Sequence, residues 1–318
     1  MMKNCLFLCY NKNNLWIGGR RMLDFRVDTF LEVCRLMNYT RAAEQLNLTQ
    51  PAVSQHIRWL EEQCGVKLFH YENKQLNLTA AGQMLRSAAI TMKQDQMFLY
   101  RRMQEADSED ADLCFGVTPT VGMYLIPKPL AAYRRRHPSA KVSMQVENSE
   151  LLCRWLDSGE IDFAILEGYF HKEDYDSMLY RTERYLAVCA QDYPFQNTPH
   201  QLADLLGETL LVREEGSGNR EIIRRSLSRK NLALQDFHSL FEVGDMNVLK
   251  QMLVQGCGIG FLYEAAVQED LQQGRLRIIE LEDFAEDHDI TFLWRKGSIF
   301  APRYRRIYGE LCQNEQIF

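Results

Sequence analysis

The sequence predicts an α/β protein: a small, mainly helical N-terminal domain, one long helix, and a larger two-lobed part in which strands and helices alternate. Three observations lead there. Between Asp24 and Leu60, three short runs with helical spacing of apolar residues each begin at a residue able to cap a helix; from Leu85 to Met103 apolar residues recur in alternating steps of four and three; and from Leu113 onward short apolar strands alternate with amphipathic helices. At 318 residues, 46% hydrophobic and 25% charged, the chain holds enough apolar material for two or three domains.

Asp24 caps a first helix whose Val27, Phe30, Leu31, Val33 and Leu36 face inward, and Asn38 suits its exit. Thr40 is expected to cap a second helix, "RAAEQL", in which Ala42 and Ala43 let a neighbour approach closely. Asn47 and Leu48 make a tight connection to a third helix, capped by Thr49 and carrying Pro51 in its first turn, where a missing N–H costs nothing. Val53, Ile57 and Leu60 form its buried stripe, while Gln50, Ser54 and Arg58 stand four apart on an outer line beside Gln55. Two helices joined so tightly, the second presenting short polar side chains, describe a helix-turn-helix whose second helix can enter a DNA major groove; glutamine suits adenine, arginine guanine or phosphate, and serine either. Gly65 ends that helix, and "VKLFHYENKQLNLT" reads as a two-stranded wing pinned by Leu68, Phe69 and Leu78, with Tyr71 and Lys74 placed for phosphate. The local charge runs the other way: Met22 to Leu78 holds six basic against seven acidic residues, and the whole chain is −6. Any DNA contact must therefore come from where the basic side chains sit rather than from bulk charge.

Thr79 caps the long helix, expected to reach about Ala106, whose seam Leu85, Ala89, Met92, Gln96, Leu99 and Met103 fits a dimerisation helix. "EADSEDAD" follows as an acidic hinge.

"FLEVCRLMNYTRAAEQLNLTQPAVSQHIRWLEEQCGVKLF" with the following "LTAAG" closely resembles the N-terminal winged helix-turn-helix of LysR-type transcriptional regulators, and the resemblance extends more loosely to Phe318. It implies that Gln50, Pro51, Ser54, Gln55 and Arg58 take groove-reading positions and that Thr40 and Arg41 face phosphate. It departs from the family at Tyr71, where an arginine is usual, and at Gln55, where many members are basic. These losses imply weaker nonspecific binding and greater reliance on avidity. Residues 1–21 precede the family's usual start, which leaves Met22 as an initiator or the extension as a disordered tail. The organisation implied is an extension over 1–21, the DNA-binding domain over 22–79, linker helix and hinge over 80–110, and an effector-binding domain over 111–318. Within the last, lobe I takes about 111–183 and 288–318 and lobe II about 184–287.

In that last part "LCFGVTPTVG", "AKVSMQVENS" and "EIDFAIL" supply strands of one lobe; "RYLAVCA" opens the second, continued by "TLLVREEGSGNREIIRRSL" and "FHSLFEVGDMNVLKQMLVQGCGIGFLYEAAV". Such alternation predicts right-handed crossovers onto a mainly parallel sheet with ligands at the C-terminal strand ends. The resemblance implies a fold similar to periplasmic binding proteins. Thr118 and Thr120, Asn148 and Ser149, Gly216, Ser217 and Gly218, and Asp245 lie at four such loop ends, and helix N-termini there favour an anion, so a small anionic effector is expected.

An enzyme is not expected: Ser217 lies in no GxSxG turn, no histidine stands as its base, and "GCGIG" reads as a helix-ending turn. Nine cysteines, with no CxxC pair, are expected to be reduced and mostly buried, and none falls between Cys189 and Cys257, where the family's peroxide sensors carry a pair. No metal or cofactor is expected. No apolar run reaches the roughly 18 residues of a membrane span, and "NCLFLCY" lacks a cleavage site, so a cytoplasmic protein follows. The partners implied are double-stranded operator DNA, a small effector, a second copy as homodimer or dimer of dimers, and RNA polymerase. The alternative reading is a small-molecule sensor whose DNA binding has weakened.

Overall fold

The computed structural model describes residues 22–104 and 112–312; the expectations for the extension, for Cys5 and Cys9 and for most of the acidic hinge lie outside the described residues. Two compact units divide between Ala89 and Ile90, inside one continuous helix, so the expected linker is shared by the two units and is no domain of its own.

In the N-terminal unit α1 spans Phe25–Leu36, α2 Tyr39–Leu46 and α3 Gln50–Cys64. Asp24 caps α1 as expected. The cap of α2 is Asn38, not Thr40: Asn38 is extended at φ −157° and its side-chain oxygen accepts from the Arg41 N–H at 3.0 Å, which leaves Thr40 inside the first turn. Thr49 accepts from the Ala52 N–H at 3.3 Å, and Gly65 ends α3 at φ 69°. Strands β1 (Phe69–Glu72) and β2 (Gln75–Leu78) form the wing, joined through Asn73 and Lys74, both at positive φ, as the twist of a two-residue hairpin requires. Leu68, Phe69 and Leu76 bury the wing on the helical core; Leu78, expected in that role, is half-buried because Leu76 takes the fully inward position.

Helix α4 (Ala80–Gln104) starts where Thr79 accepts from the Gly82 N–H at 3.0 Å and donates to the Lys67 carbonyl at 2.7 Å.

The C-terminal unit is built on one nine-stranded sheet, ordered β4-β3-β5-β11-β6-β9-β7-β8 with β10 on β6. Lobe I contributes β3 (Leu113–Val117), α5 (Pro127–Arg136), β4 (Val142–Val146), α6 (Ser149–Ser158), β5 (Phe163–Glu167) and, at the chain's end, α10 (Ala301–Cys312). Lobe II holds β7 (Thr209–Arg213), α7 (Gly218–Ser228), β8 (Ser239–Val243), α8 (Met246–Val254), β9 (Ile259–Tyr263), α9 (Glu264–Gln272) and β10 (Leu276–Ile278). Two long strands, β6 (Tyr175–Ala190) and β11 (Glu286–Arg295), serve both lobes. The expected mainly parallel sheet is thus corrected: β4-β3-β5 and β9-β7-β8 are parallel, but β11 and β6 pair antiparallel with their neighbours and with each other. "RYLAVCA" does pair with the lobe II strands β9 and β10, but it is the second half of a 16-residue strand that begins in lobe I rather than a strand of its own. Phe115, Phe163 and Phe292 stack at 4.9 and 4.6 Å in the lobe I core, and Tyr185, Phe261 and Tyr263 hold the lobe II core.

Candidate DNA interface and effector site

Thr40, Gln50, Tyr71 and Lys74, drawn from α2, α3 and the wing, line one groove of about 590 Å³. Gln55 and Arg58 stand exposed along the outer face of α3, as does Pro51, and the Gln50 amide donates to Ser54 Oγ at 2.9 Å, which orients the Gln50 side chain in the groove. The unfavourable charge count is resolved by pairing. Arg26 pairs with Asp24, Arg35 with Glu32 and Lys67 with Glu61 at 2.6 to 2.9 Å. The other three basic side chains, Arg41, Arg58 and Lys74, are exposed with no ion pair among the described residues, and Lys74 lines the groove. Acidic residues thus neutralise three of the six basic ones and leave three exposed and unpaired among the described residues. His56, unremarked in the sequence, belongs to the packing: its ring bonds Thr29 Oγ1 at 3.0 Å, and burial, with the Arg26 charge, lowers its pKa.

The α4 seam divides. Leu85 packs on the N-terminal core and Ala89 is buried, Gln96 and Leu99 are half-buried, and Met92 and Met103 are 53% and 66% exposed. The opposite face is committed to lobe I. Thr91 donates to the Lys296 carbonyl at 3.0 Å, Gln94 to the Asp162 carbonyl at 3.1 Å, and Ser298 donates to Asp95 at 2.5 Å. Phe98 meets Phe300 at 4.2 Å, and Arg101 pairs with buried Asp162. Burial pushes the Asp162 carboxyl upward, and Arg101 and Arg303 pull it back. None of these polar anchors was anticipated in the sequence, where nothing marks Gln94, Asp95 and Asp162 as buried.

Between the lobes the eight expected effector residues part company. Ser149, Gly216, Ser217 and Gly218 line a cavity of about 760 Å³ together with Tyr169, Phe170, His171, Tyr175, Arg220 and Arg224. It lies where the N-termini of α6 and α7 meet, and Ser217, at the start of α7, makes no side-chain capping bond. Asn148 caps α6 through the Leu151 N–H at 3.0 Å. Asp245 does not join the cavity; it is exposed and caps α8 through the N–H groups of Asn247 and Val248. Thr118 and Thr120 are buried and not free to hold an anion, because both hydroxyls donate to the carboxylate of Glu167, the last residue of β5. Glu167 is the principal residue the sequence reading missed. Its signal is visible in "DFAILEG": an acidic residue closing a fully buried strand. Within lobe I, Ser149 Oγ donates to the Glu167 carbonyl at 2.8 Å. The lobes touch here, where the Glu150 N–H reaches the Gly216 carbonyl at 3.3 Å. A Cβ on Gly168 would lie 2.6 Å from the Gly218 Cα, and Gly168 is at φ 94°, so only glycine allows this approach.

A winged helix-turn-helix with basic side chains left exposed, followed by a long helix and a two-lobed unit with an interlobe cavity, defines a ligand-responsive DNA-binding regulator. A model of bacterial regulatory helix-turn-helix proteins of the lysR family matches residues 26–83, and a model of the LysR substrate binding domain matches residues 106–313. The chain belongs to the LysR-type transcriptional regulators, and its two domains are the DNA-binding and effector-binding domains of that family. It is 31% identical over 303 residues to the HTH-type transcriptional regulator CbbR of Xanthobacter flavus, covering 86% of this chain and 88% of that one. It is 28% identical over 279 residues to the RuBisCO operon transcriptional regulator of Allochromatium vinosum, covering 86% and 90%. The fold is shared with a mutant OxyR of Corynebacterium glutamicum in an H2O2-bound structure, at 20% identity, TM-score 0.57 and 92% of each chain. The regulatory domain of Synechocystis CcmR in complex with 2-PG aligns at 20% identity and TM-score 0.56, over 64% of this chain and 98% of that one.

Proposed function

We propose that this regulator binds double-stranded operator DNA as a homodimer or dimer of dimers, α3 in the major groove and the wing beside it, and that a small effector held between the lobes sets its DNA-bound arrangement. The observation that carries the DNA reading is the groove that brings Thr40, Gln50, Tyr71 and Lys74 together, with Arg41 and Arg58 exposed and without an ion pair among the described residues. That arrangement also speaks against the alternative of a sensor with weakened DNA binding. Self-association is supported by the exposed Met84, Met92 and Met103 on α4 and by the two sheet edges, where Val142 and Val146 on β4 and Leu240 and Phe241 on β8 are exposed. Two recognition helices per dimer would then meet half-sites about one helical turn, roughly 34 Å, apart. RNA polymerase is the partner such a regulator would act on, in the cytoplasm, and the function proposed is regulation rather than catalysis. No helix among the described residues is long and apolar enough to cross a membrane.

The test is a gel-shift titration with the DNA upstream of the protein's own gene against random DNA of equal length. Gln50→Ala with Ser54→Ala should reduce the preference for the specific site by about 1–3 kcal/mol and leave binding to random DNA unchanged. An unaltered preference would remove α3 from the groove.

A further inference from the structure

The interlobe reading above leaves the effector's chemistry open, and the groups at the joint narrow it. Glu167 is only 3% exposed, and its carboxylate accepts from Thr118 and Thr120. Among the described residues no lysine, arginine or histidine hydrogen-bonds it; Arg213, whose charge reaches it, is committed to Glu214 at 2.8 Å and to the Gly244 carbonyl at 3.1 Å. A buried carboxylate without a bonded cation is costly, and burial pushes its pKa up. Tyr263, at the end of β9, is fully buried within electrostatic reach of Glu167, and its hydroxyl has no hydrogen-bond partner. Buried polar groups left unpaired are rare and need a reason. The two threonine hydroxyls, having donated to Glu167, keep lone pairs that can still accept. One carboxylate, two such hydroxyls and a tyrosine hydroxyl make an acceptor-rich group that opposes a carboxylate and suits N–H donors. The group lies behind the cavity wall: Ser149 and Gly218, which line the cavity, rest on the Glu167 main-chain carbonyl, while the four side chains do not line the cavity themselves.

We propose that the effector carries a protonated amine, which pairs with Glu167 among Thr118, Thr120 and Tyr263 when the lobes take it up. The inference rests on the interlobe reading and replaces the anionic class expected from sequence.

The experiment is thermal melting of the full-length chain with methylammonium, ethanolamine and ammonium chlorides, set against sodium acetate, sodium succinate and sodium chloride at equal ionic strength. At saturation an amine should raise Tm by about 5 °C, with the carboxylates no different from sodium chloride. Glu167→Gln should abolish the shift. Tyr263→Phe, which removes a hydroxyl that bonds nothing in the free protein and so should still fold, should weaken the amine's midpoint several-fold. Stabilisation by carboxylates alone would overturn the amine and leave the interlobe effector standing. An amine shift unchanged in both variants would overturn the role of Glu167. No shift from any amine would also overturn the proposal; the interlobe reading is then decided separately by Ala233→Trp, which fills the cavity mouth and must alter output from a reporter on the protein's own upstream DNA if an effector enters there.

Discussion

Gly218→Ala probes how tightly the two lobes meet. A methyl group at Gly218 would sit 2.3 Å from the Glu167 carbonyl oxygen and 2.7 Å from Ser149 Oγ. Ordinary carbon–oxygen contact is about 3.3 Å, so the joint must open by about 1 Å, and the nearest atom is strand backbone that cannot rotate away. Forcing a methyl into such a packed contact costs about 1–3 kcal/mol. Against this, alanine in the first turn of α7 regains up to about 1 kcal/mol of backbone entropy. The net expectation is a loss of about 1–2 kcal/mol. Gly207→Ala is the control, since nothing lies within 4 Å of the methyl it adds. Urea unfolding followed by tryptophan fluorescence and by far-UV circular dichroism would show whether both probes report one transition in each variant. If Gly218→Ala were as stable as Gly207→Ala to within about 0.5 kcal/mol, the lobes would not be in backbone contact at Glu167, and the placement of that carboxylate behind the cavity would fall with it.

Two further outcomes follow from the chemistry of single groups. Burial pushes the Cys34 thiol up to about 12 and Cys189 up to about 11, whereas Cys64 and Cys257 are exposed; iodoacetamide on the native protein should therefore label Cys64 and Cys257 within minutes and Cys34 and Cys189 only after unfolding, as read by peptide mass spectrometry. Hydrogen bonds from Arg224 first, and then from Arg225, hold the Glu221 carboxyl down at about 2 against an ordinary 4.5; a depressed carboxylate stabilises the fold above its unfolded value and loses that contribution as pH falls through its folded one. The Tm gap between wild type and Glu221→Gln should be full at pH 7 and close between pH 4.5 and 2, and a gap independent of pH would refute the pairing.

Local rules were readable where one residue type decides the backbone. Thr49, Pro51 and Gly65 mark both ends of α3, and the small Ala42 and Ala43 mark its close packing, because caps, prolines and left-handed glycines act within a turn. The cap of α2 was misplaced because Asn38 and Thr40 can both cap, and only the extended backbone at Asn38 decides between them. The length of β6 was hidden for another reason. Its first half, Tyr175 to Arg184, alternates buried and exposed residues on a half-covered strand, and its charged positions imitate a loop. The effector residues carry a similar ambiguity: a side chain at the start of a helix reads alike whether it serves a ligand or the helix. Asn148 and Asp245 proved to be caps, and Thr118 and Thr120 to be donors to a carboxylate some 50 residues away in sequence.

The anchoring of α4 decides which lobe can transmit a signal. Thr91, Gln94, Asp95, Phe98 and Arg101 recur at helical spacing on one face, and they hold partners from Gly159 to Asp162, from Lys296 to Phe300 and at Arg303, all in lobe I. Arg101 reaches the buried Asp162 carboxylate, which Arg303 also approaches at 3.9 Å, so removing either partner would disturb a buried charge and these contacts resist piecemeal loosening. Lobe I and the second half of α4 therefore behave as one body. Lobe II is tied to it through β6 and β11 and through the glycine contact at Gly168 and Gly218. A ligand at the interlobe joint shifts the protein only through a difference in affinity between two placements of the lobes. The moving element is then lobe II, and α4 with the DNA-binding unit it runs into responds only if lobe II bears on another copy of the chain. On the function proposed above, effector control thus requires assembly, and the exposed Met92 and Met103, on the face of α4 that lobe I leaves uncovered, are the apolar positions it would use.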